Sequence, residues 1–260
     1  MKNITGVVIT YNEESNIKGC ILSLKKICNE IVVVDSESSD RTCTIAESLG
    51  ARVIVQKYLG DGPQKKLAAE NASNDWVLSI DADERLSDEM AEEIRKLEFS
   101  DKIDAYAFPR KNYVGDRWIR HCGWYPDICV RLFNHRKVNW STAEMHAYVD
   151  VQNFQIMNGH IDHYSYQSIQ ELFIKAERYS TAVAKSKYKR GIRVGILSPI
   201  LHGISAFVVH YFFRLGFLDG VDGVTICLSA GFNSYLKYAK LIEFQRNPEL
   251  TRDKNFENIW

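Results

Sequence analysis

Residues 76–84 read WVLSIDADE. The run Trp76–Ile80 has the length and apolar character of a buried strand, and it stops on Asp81-Ala82-Asp83-Glu84. Two carboxylates one residue apart at a strand end can converge on one divalent ion, because Mg²⁺ and Mn²⁺ take oxygen ligands. Such an ion neutralises a diphosphate leaving group. A polar turn after a strand would look the same in isolation, so the neighbouring chain has to decide.

Upstream, Ile4–Thr10 is apolar and β-branched, as a buried parallel strand should be. Glu13–Lys26 carries apolar residues near helical spacing, Glu30–Asp35 (EIVVVD) reads as a second strand, and Asp40–Leu49 as a helix stopped by Gly50. Arg52–Val55 is a third strand, Pro63 opens a helix reaching about Asn71, and Trp76–Ile80 becomes the fourth strand. Downstream, Ser87 caps a helix through Leu97, with Met90 where a capping box would place Glu. This alternation predicts an α/β fold with a doubly wound, mostly parallel sheet. Such sheets bind ligands beyond the carboxyl ends of their strands. Three of those ends are polar here: Thr10-Tyr11-Asn12-Glu13, Asp35, and Asp81 with Asp83.

From about 100 to 165 the pattern changes to short strands, Tyr106–Phe108, Ile128–Phe133 and Ala147–Val151, around an aromatic- and His-rich stretch. This region is expected to complete the sheet and form the acceptor side of the site. From about 167 the chain reads as helical, in the segments Gln167–Lys189, Val194–Phe213 and Val221–Ile242, the last interrupted by Gly231 and Asn233. Two domains are therefore expected, residues 1–165 and 166–260.

The chain has 260 residues and a formal net charge of zero, which argues against a nucleic-acid partner. The six cysteines show no CxxC spacing and read as scattered reduced thiols. The beginning, MKNITGVVITYNEE, lacks the basic and apolar regions of a signal peptide, so none is expected.

Asp35 at its strand end can accept from a nucleobase N–H or a ribose hydroxyl, or can cap the following helix. Asp40 with Thr42 reads as a cap or loop clamp. Tyr11 can stack on a base, and Lys65 or Lys66, after the Gly60–Pro63 loop, can approach a phosphate or lie solvated on a helix.

The stretches VVITYNEE, VVVDSESSDRT, GDGPQKKLAAENASNDWVLSIDADE, GWYPDICVRLFN and HYSYQS together resemble a family 2 glycosyltransferase of GT-A fold. More narrowly they are similar to the bacterial lipopolysaccharide-core β-glucosyltransferase-like subgroup, over nearly the whole chain, including RLGFLDG and YLKYAKLIEF. The resemblance implies that Thr10, Tyr11 and Glu13 line a nucleotide pocket, that Asp35 reads the base, that Asp81 sits near ribose or metal, and that Asp83 is the principal metal ligand. It implies Mg²⁺ or Mn²⁺ as cofactor, and His146 can complete the metal site, as a late histidine does in some GT-A enzymes. Two positions depart from the pattern. The subgroup's QKN is Gln64-Lys65-Lys66, and its His-Glu is His146-Ala147, so the base assignment passes to Asp127 or Glu144. His121, His160 and His163 are assigned structural roles.

Seven basic residues, Lys175, Arg178, Lys185, Lys187, Lys189, Arg190 and Arg193, stand against Glu177 alone, and an apolar stretch follows. Basic residues beside apolar helices favour an anionic leaflet, by about 1 kcal/mol each near the surface. Pro199, two histidines and Arg214 make a poor spanning helix, so interfacial or re-entrant packing is expected. The expected protein is thus cytoplasmic and peripheral on the inner face of the cell membrane. It would move a hexose from a UDP-linked donor to a lipid-linked glycan acceptor. The rivals are a nucleotidyltransferase, which would normally carry a Gly-rich N-terminal loop, and a non-catalytic membrane-bound sugar-nucleotide-binding protein.

Overall fold

The computed structural model describes residues 3–143 and 147–252. Glu144 and His146, named above as candidate base and metal ligand, lie outside the described residues. The chain divides into two compact units, Met1–Lys111 with Pro126–His163, and Asn112–Tyr125 with Tyr164–Trp260. Residues 112–125 fall in the second of these units.

In the first unit, β1 (Ile4–Thr10), β2 (Glu30–Asp35), β3 (Arg52–Val55) and β4 (Trp76–Ser79) lie in the order β3-β2-β1-β4, all parallel. Their alternation sorts side chains to two faces. Val8, Val33 and Leu78 face the core shared with α1 (Ile17–Leu24) and α4 (Asp88–Lys96), whereas Val7, Val32 and Val77 pack with Ala68 and Ala69 of α3 (Asp61–Glu70). Burying each Val or Leu contributes about 1.5–3 kcal/mol, so both faces are strongly specified. α2 (Thr42–Ser48) packs outside β3. The strand order reverses direction at β1, which places the expected ligand crevice beyond the ends of β1 and β4.

The rest of the sheet differs from the parallel half. β8 (Asp127–Asn134) runs antiparallel to β4 and to β6 (Ala105–Val114), and the short β5 (Glu84–Leu86) is antiparallel to β10 (Ile161–Tyr166). β7 (Arg117–Trp118) and β9 (Phe154–Ile156) both pair with β6. The strand expected over 147–151 reduces to a single bridge between Trp140 and Val149. That segment spends its backbone groups on side chains and loops instead: Ala147 N–H donates to Asp61, and Tyr148 N–H to Ser141 Oγ.

Ser87 caps α4 as expected, its Oγ accepting from Met90 N–H at 3.0 Å. The same hydroxyl accepts from His160 N–H, and Glu93 accepts from the backbone N–H groups of Asn158 and Gly159. The turn before β10 is thus fastened onto α4.

In the second unit, α5 (Ile169–Lys189), α6 (Ser198–Val208) and α7 (Gly220–Arg246) pack together, and a π-helical turn, Val209–Phe213, extends α6. Gly231 does not interrupt α7. A Cβ there would lie 3.1 Å from the Gly203 carbonyl oxygen, so Gly203 and Gly231 let α6 and α7 approach closely. No single helix among the described residues is long and apolar enough to cross a membrane; the pair Ser198–Phe213 and Gly216–Arg246, bent by 73°, passes that test together.

Gly159 tests the fastening of the turn onto α4. An added Cβ would stand 2.3 Å from Met90 Cα, a backbone atom that cannot give way locally. Gly159→Ala is expected to cost about 1–3 kcal/mol, read as a lower midpoint in urea denaturation. An unchanged midpoint would contradict this packing.

Candidate active site

The loops after β1 and β2 are locked to each other. Thr10 Oγ1 donates to Asp35 Oδ2 at 2.7 Å, and Asp35 also accepts from Ser38 N–H (2.8 Å) and Ser38 Oγ (2.6 Å). Asn12 N–H donates to Ser38 Oγ, and Asn12 Oδ1 accepts from Ser39 N–H. Asn12 and Glu37 both adopt positive φ, 53° and 62°. Strained non-glycine backbone of this kind persists only where surrounding contacts hold it, and it clusters at binding sites. Asp40 is the clamp expected: it accepts from Glu14 N–H, Thr42 N–H and Thr42 Oγ1. Burial works against its charge, but these hydrogen bonds hold its pKa below the ordinary value.

The structure thus places the expected nucleotide residues at one end of adjacent strands, with different exposures. Tyr11 is 46% exposed and Thr10 is buried. Glu13 is half-buried and accepts from Asn16 Nδ2 at 2.8 Å. Asp35 is 0% exposed, its oxygens already engaged by Thr10 and Ser38. It forms the floor under the two loops rather than an open oxygen at the surface.

Beyond β4 lies a chain of alternating charge. Lys65 bridges Asp61 and Asp81, with Nζ 3.0 Å from each carboxylate. Asp81 also accepts from Arg131 of β8 at 2.8 Å. Arg131 reaches Glu84 at 2.5 Å, and Arg110 of β6 pairs with Glu84 at 2.9 Å. Arg110 ends the chain on Asp127, with Nε at 2.9 Å and Nη2 at 2.6 Å from one carboxylate oxygen. Burial disfavours the charge on Asp81, but the Lys65 and Arg131 charges outweigh it and hold its carboxyl well below the usual range. The same balance, burial opposed by Asp81, leaves Lys65 with a raised pKa. Lys65, the candidate phosphate contact, is buried and pairs with two carboxylates.

Asp83 stands apart from this chain. Its Oδ2 lies 3.3 Å from His163 Nε2, on β10, where His163 is the register partner of Glu84. Sequence alone suggests a structural role for His163; the antiparallel pairing of β5 with β10 brings it to the second carboxylate of the DxD. A Mg²⁺ or Mn²⁺ site needs few protein donors when substrate phosphates complete the shell. One carboxylate and one imidazole facing each other fit that requirement. Among the described residues no group of three or more His, Cys, Asp or Glu side chains converges on one point.

No motif in the sequence marks Arg110, Glu84 or Asp61 for a site. Asp61 holds the following loop as well as Lys65, accepting from Ala147 N–H at 3.0 Å. Gly62 donates to the Ala143 carbonyl at 2.9 Å, and a Cβ there would stand 2.0 Å from the Ser141 carbonyl oxygen. The one readable signal was Arg131 inside the apolar run ICVRLF, a charge in a buried strand that demands partners.

Comparison with known proteins gives the family. The model of the family described as glycosyl transferase family 2 matches residues 5–158. An uncharacterized glycosyltransferase of Rickettsia typhi is 36% identical over 256 residues, covering 94% of this chain and 88% of that protein. A lipopolysaccharide core biosynthesis glycosyltransferase of Rhizobium meliloti, LpsC, is 27% identical and is covered over 92% of both chains. Among solved structures, Staphylococcus aureus TarS 1–349 in complex with UDP is similar at a TM-score of 0.44 and 15% identity, over 95% of this chain and 92% of that one. Glucosyl-3-phosphoglycerate synthase of Mycobacterium tuberculosis, in complex with Mn²⁺, UDP and glucosyl-3-phosphoglycerate, is similar at 0.34 and 24% identity, over 43% and 44%.

The depressed pKa of Asp81 has a signed consequence. Its ion pairs stabilise the fold above the unfolded carboxylate range, near pH 4, and that contribution is lost as pH falls through the lower folded-state value. Denaturation midpoints followed from pH 6 downward should fall more steeply in the wild type than in Asp81→Asn, and the two should converge in acid. Parallel curves would contradict the charge chain.

Proposed function

Since the chain belongs to glycosyl transferase family 2, we propose that it transfers a hexose from a UDP-linked donor to a hydroxyl of a lipid-anchored glycan such as lipopolysaccharide core, with inversion in a single displacement. What supports this above all is the meeting of Asp83 and His163 beside Asp81, on the sheet end that also carries the interlocked Thr10–Asn12 and Asp35–Ser39 loops. Diphosphate chemistry needs cationic help where charge develops on the leaving group.

Each residue has a role in this reading. Tyr11 offers its exposed ring to the base, while Asp35 fixes Thr10 and the Ser38 turn from beneath. Asp83 and His163 would hold a divalent ion, which supplies charge to the departing diphosphate. Asp81 keeps the adjacent loop rigid through Lys65 and Arg131. The relative named for lipopolysaccharide core biosynthesis supports the choice of acceptor class.

The acceptor hydroxyl must lose a proton, and a carboxylate within hydrogen-bond reach is the usual recipient. The position expected to carry Glu is Ala147, which has no such group. Asp127 at the start of β8, steadied by Arg110, is our assignment for the base, ahead of Glu144.

We place the protein on the cytoplasmic face of an anionic membrane. Ile196, Leu197 and Phe213 are 73%, 63% and 77% exposed, and the basic run from Lys175 to Arg193 precedes them in the chain. An apolar surface flanked by cations suits a headgroup region rather than water.

Two measurements check this function. Donor hydrolysis and transfer should be assayed separately with Mn²⁺. Asp83→Asn is expected to lose both by about a hundredfold and to weaken Mn²⁺-dependent UDP binding. Asp127→Asn should lose transfer while keeping UDP affinity. Near-wild-type turnover in Asp83→Asn would sink the metal assignment, and retained transfer in Asp127→Asn the base. Separately, the full chain should sediment with phosphatidylglycerol vesicles, less so as salt rises, and less again when Ile196, Leu197 and Phe213 are replaced by Ser. Equal sedimentation of the two proteins would remove the membrane surface from the account.

A further inference from the structure

The helical unit contains a cavity of about 360 Å³ among α5, α7 and the π-helical turn after α6. That volume lies within the range of small-molecule sites. It is not apolar. Lys237, His210, Ser229 and Tyr179 line it together with the rings of Trp124 and Tyr166.

Lys237 is the cation of the cavity lining. Among the described residues it makes no ion pair with any carboxylate, and its charged neighbour is another cation, Lys187. Burial, reinforced by Lys187, lowers its pKa. Both ammonium groups lie against the ring of Tyr238, at 5.2 Å for Lys237 and 5.4 Å for Lys187. One turn further along α7 the fold treats a lysine very differently: Lys240 pairs with Glu177 at 2.6 Å and reaches Ser180 and Thr181. Lys237 lines the cavity and Lys187 lies beside it, outside the lining; neighbouring like charges disfavour each other, and an anion at the cavity's edge relieves them.

The remaining walls define what else the ligand carries. His210 Nδ1 lies 2.7 Å from the Cys122 carbonyl oxygen. A carbonyl only accepts, so Nδ1 holds the proton, and in the neutral ring Nε2 is an acceptor. His210 belongs to the π-helical turn Val209–Phe213, a local distortion frequent at functional sites. Ser229 is buried, and its side chain makes no hydrogen bond among the described residues. Trp124 and Tyr166 stack on each other, centroids 5.8 Å apart at 30°, with Lys175 Nζ 5.0 Å from the Tyr166 ring.

We propose that this cavity binds a phosphorylated saccharide, its phosphate on Lys237 at the edge beside Lys187, its hydroxyls on His210 and Ser229, and its ring against Trp124. A phosphomonoester carries about −1.5 to −2 charges, which suits Lys237 with a second cation, Lys187, beside it. A neutral sugar would leave both cations unpaired, and a phosphodiester headgroup would neutralise only one and make no use of the hydroxyl acceptor. The site would hold a phosphorylated part of the acceptor glycan, and to that extent it rests on the acceptor class proposed above.

The test is calorimetry on the full chain with glucose 6-phosphate, glucose and inorganic phosphate as probes. Glucose 6-phosphate should bind at least about tenfold more tightly than either fragment. Lys237→Gln and, independently, Lys187→Gln should each weaken it about tenfold or more, with unchanged circular dichroism and unchanged Mn²⁺-dependent UDP binding. Wild-type affinity in Lys237→Gln, or no binding to the wild type, would overturn the proposal. Equal binding of inorganic phosphate would reduce the site to an anion site, and displacement by phosphatidylglycerol vesicles would make it a lipid site; either outcome overturns the saccharide. UDP binding is read in the same samples, so a failure here is distinguishable from a failure of the donor site.

Discussion

Glu84 is 0% exposed, and a carboxylate with no access to water must be neutralised by protein. Two arginines from neighbouring strands, Arg110 and Arg131, do this, and each then holds a further acid, Asp127 and Asp81. Lys65 continues the alternation to Asp61, which fixes the backbone at Ala147. One buried carboxylate thus ties β5, β6, β8, the end of β4 and the start of α3 into a single arrangement. Removing a partner from such a set typically costs about 3–5 kcal/mol, because the remaining charge stays buried.

This chain of charges also sorts the carboxylates of the DxD. Asp81 is paired with a lysine and an arginine. Asp83 meets an imidazole instead, and it is the member whose neighbour suits a shared ion. The interlocked loops after β1 and β2 stand at the same sheet end, with strained backbone at Asn12 and Glu37. Rigid anchoring on one side and stored strain on the other give a site whose shape is set before any ligand arrives.

The parallel half of the sheet was legible because each of its strands is a continuous apolar run ended by polar residues, from ITGVVIT through WVLSID. The helix cap at Ser87 and the clamp at Asp40 were legible because both are local, within three residues. The antiparallel half was less so. β5 and β9 are three residues long, too short for periodicity to register, and the stretch at 147–151 looks like a strand but spends its hydrogen bonds elsewhere. Arg131 lies 50 residues from Asp81 and 47 from Glu84, and no spacing rule links positions joined only by strand pairing. His163 was visible in HYSYQS, but its meeting with Asp83 depends on the β5–β10 register. The family resemblance supplied the DxD roles and the donor class. It did not reveal that Asp35 is buried or that Lys65 is already paired.

The central claim is that a nucleoside diphosphate sits at the shared ends of β1, β2 and β4. Hydrogen–deuterium exchange of the full chain with and without UDP and Mn²⁺ addresses it most directly. Added protection is expected in peptides covering Tyr11–Glu13, Ser36–Ser39 and Asp81–Asp83, and it should disappear when Mn²⁺ is chelated. Protection confined to other segments, or none at saturating UDP, would contradict the account.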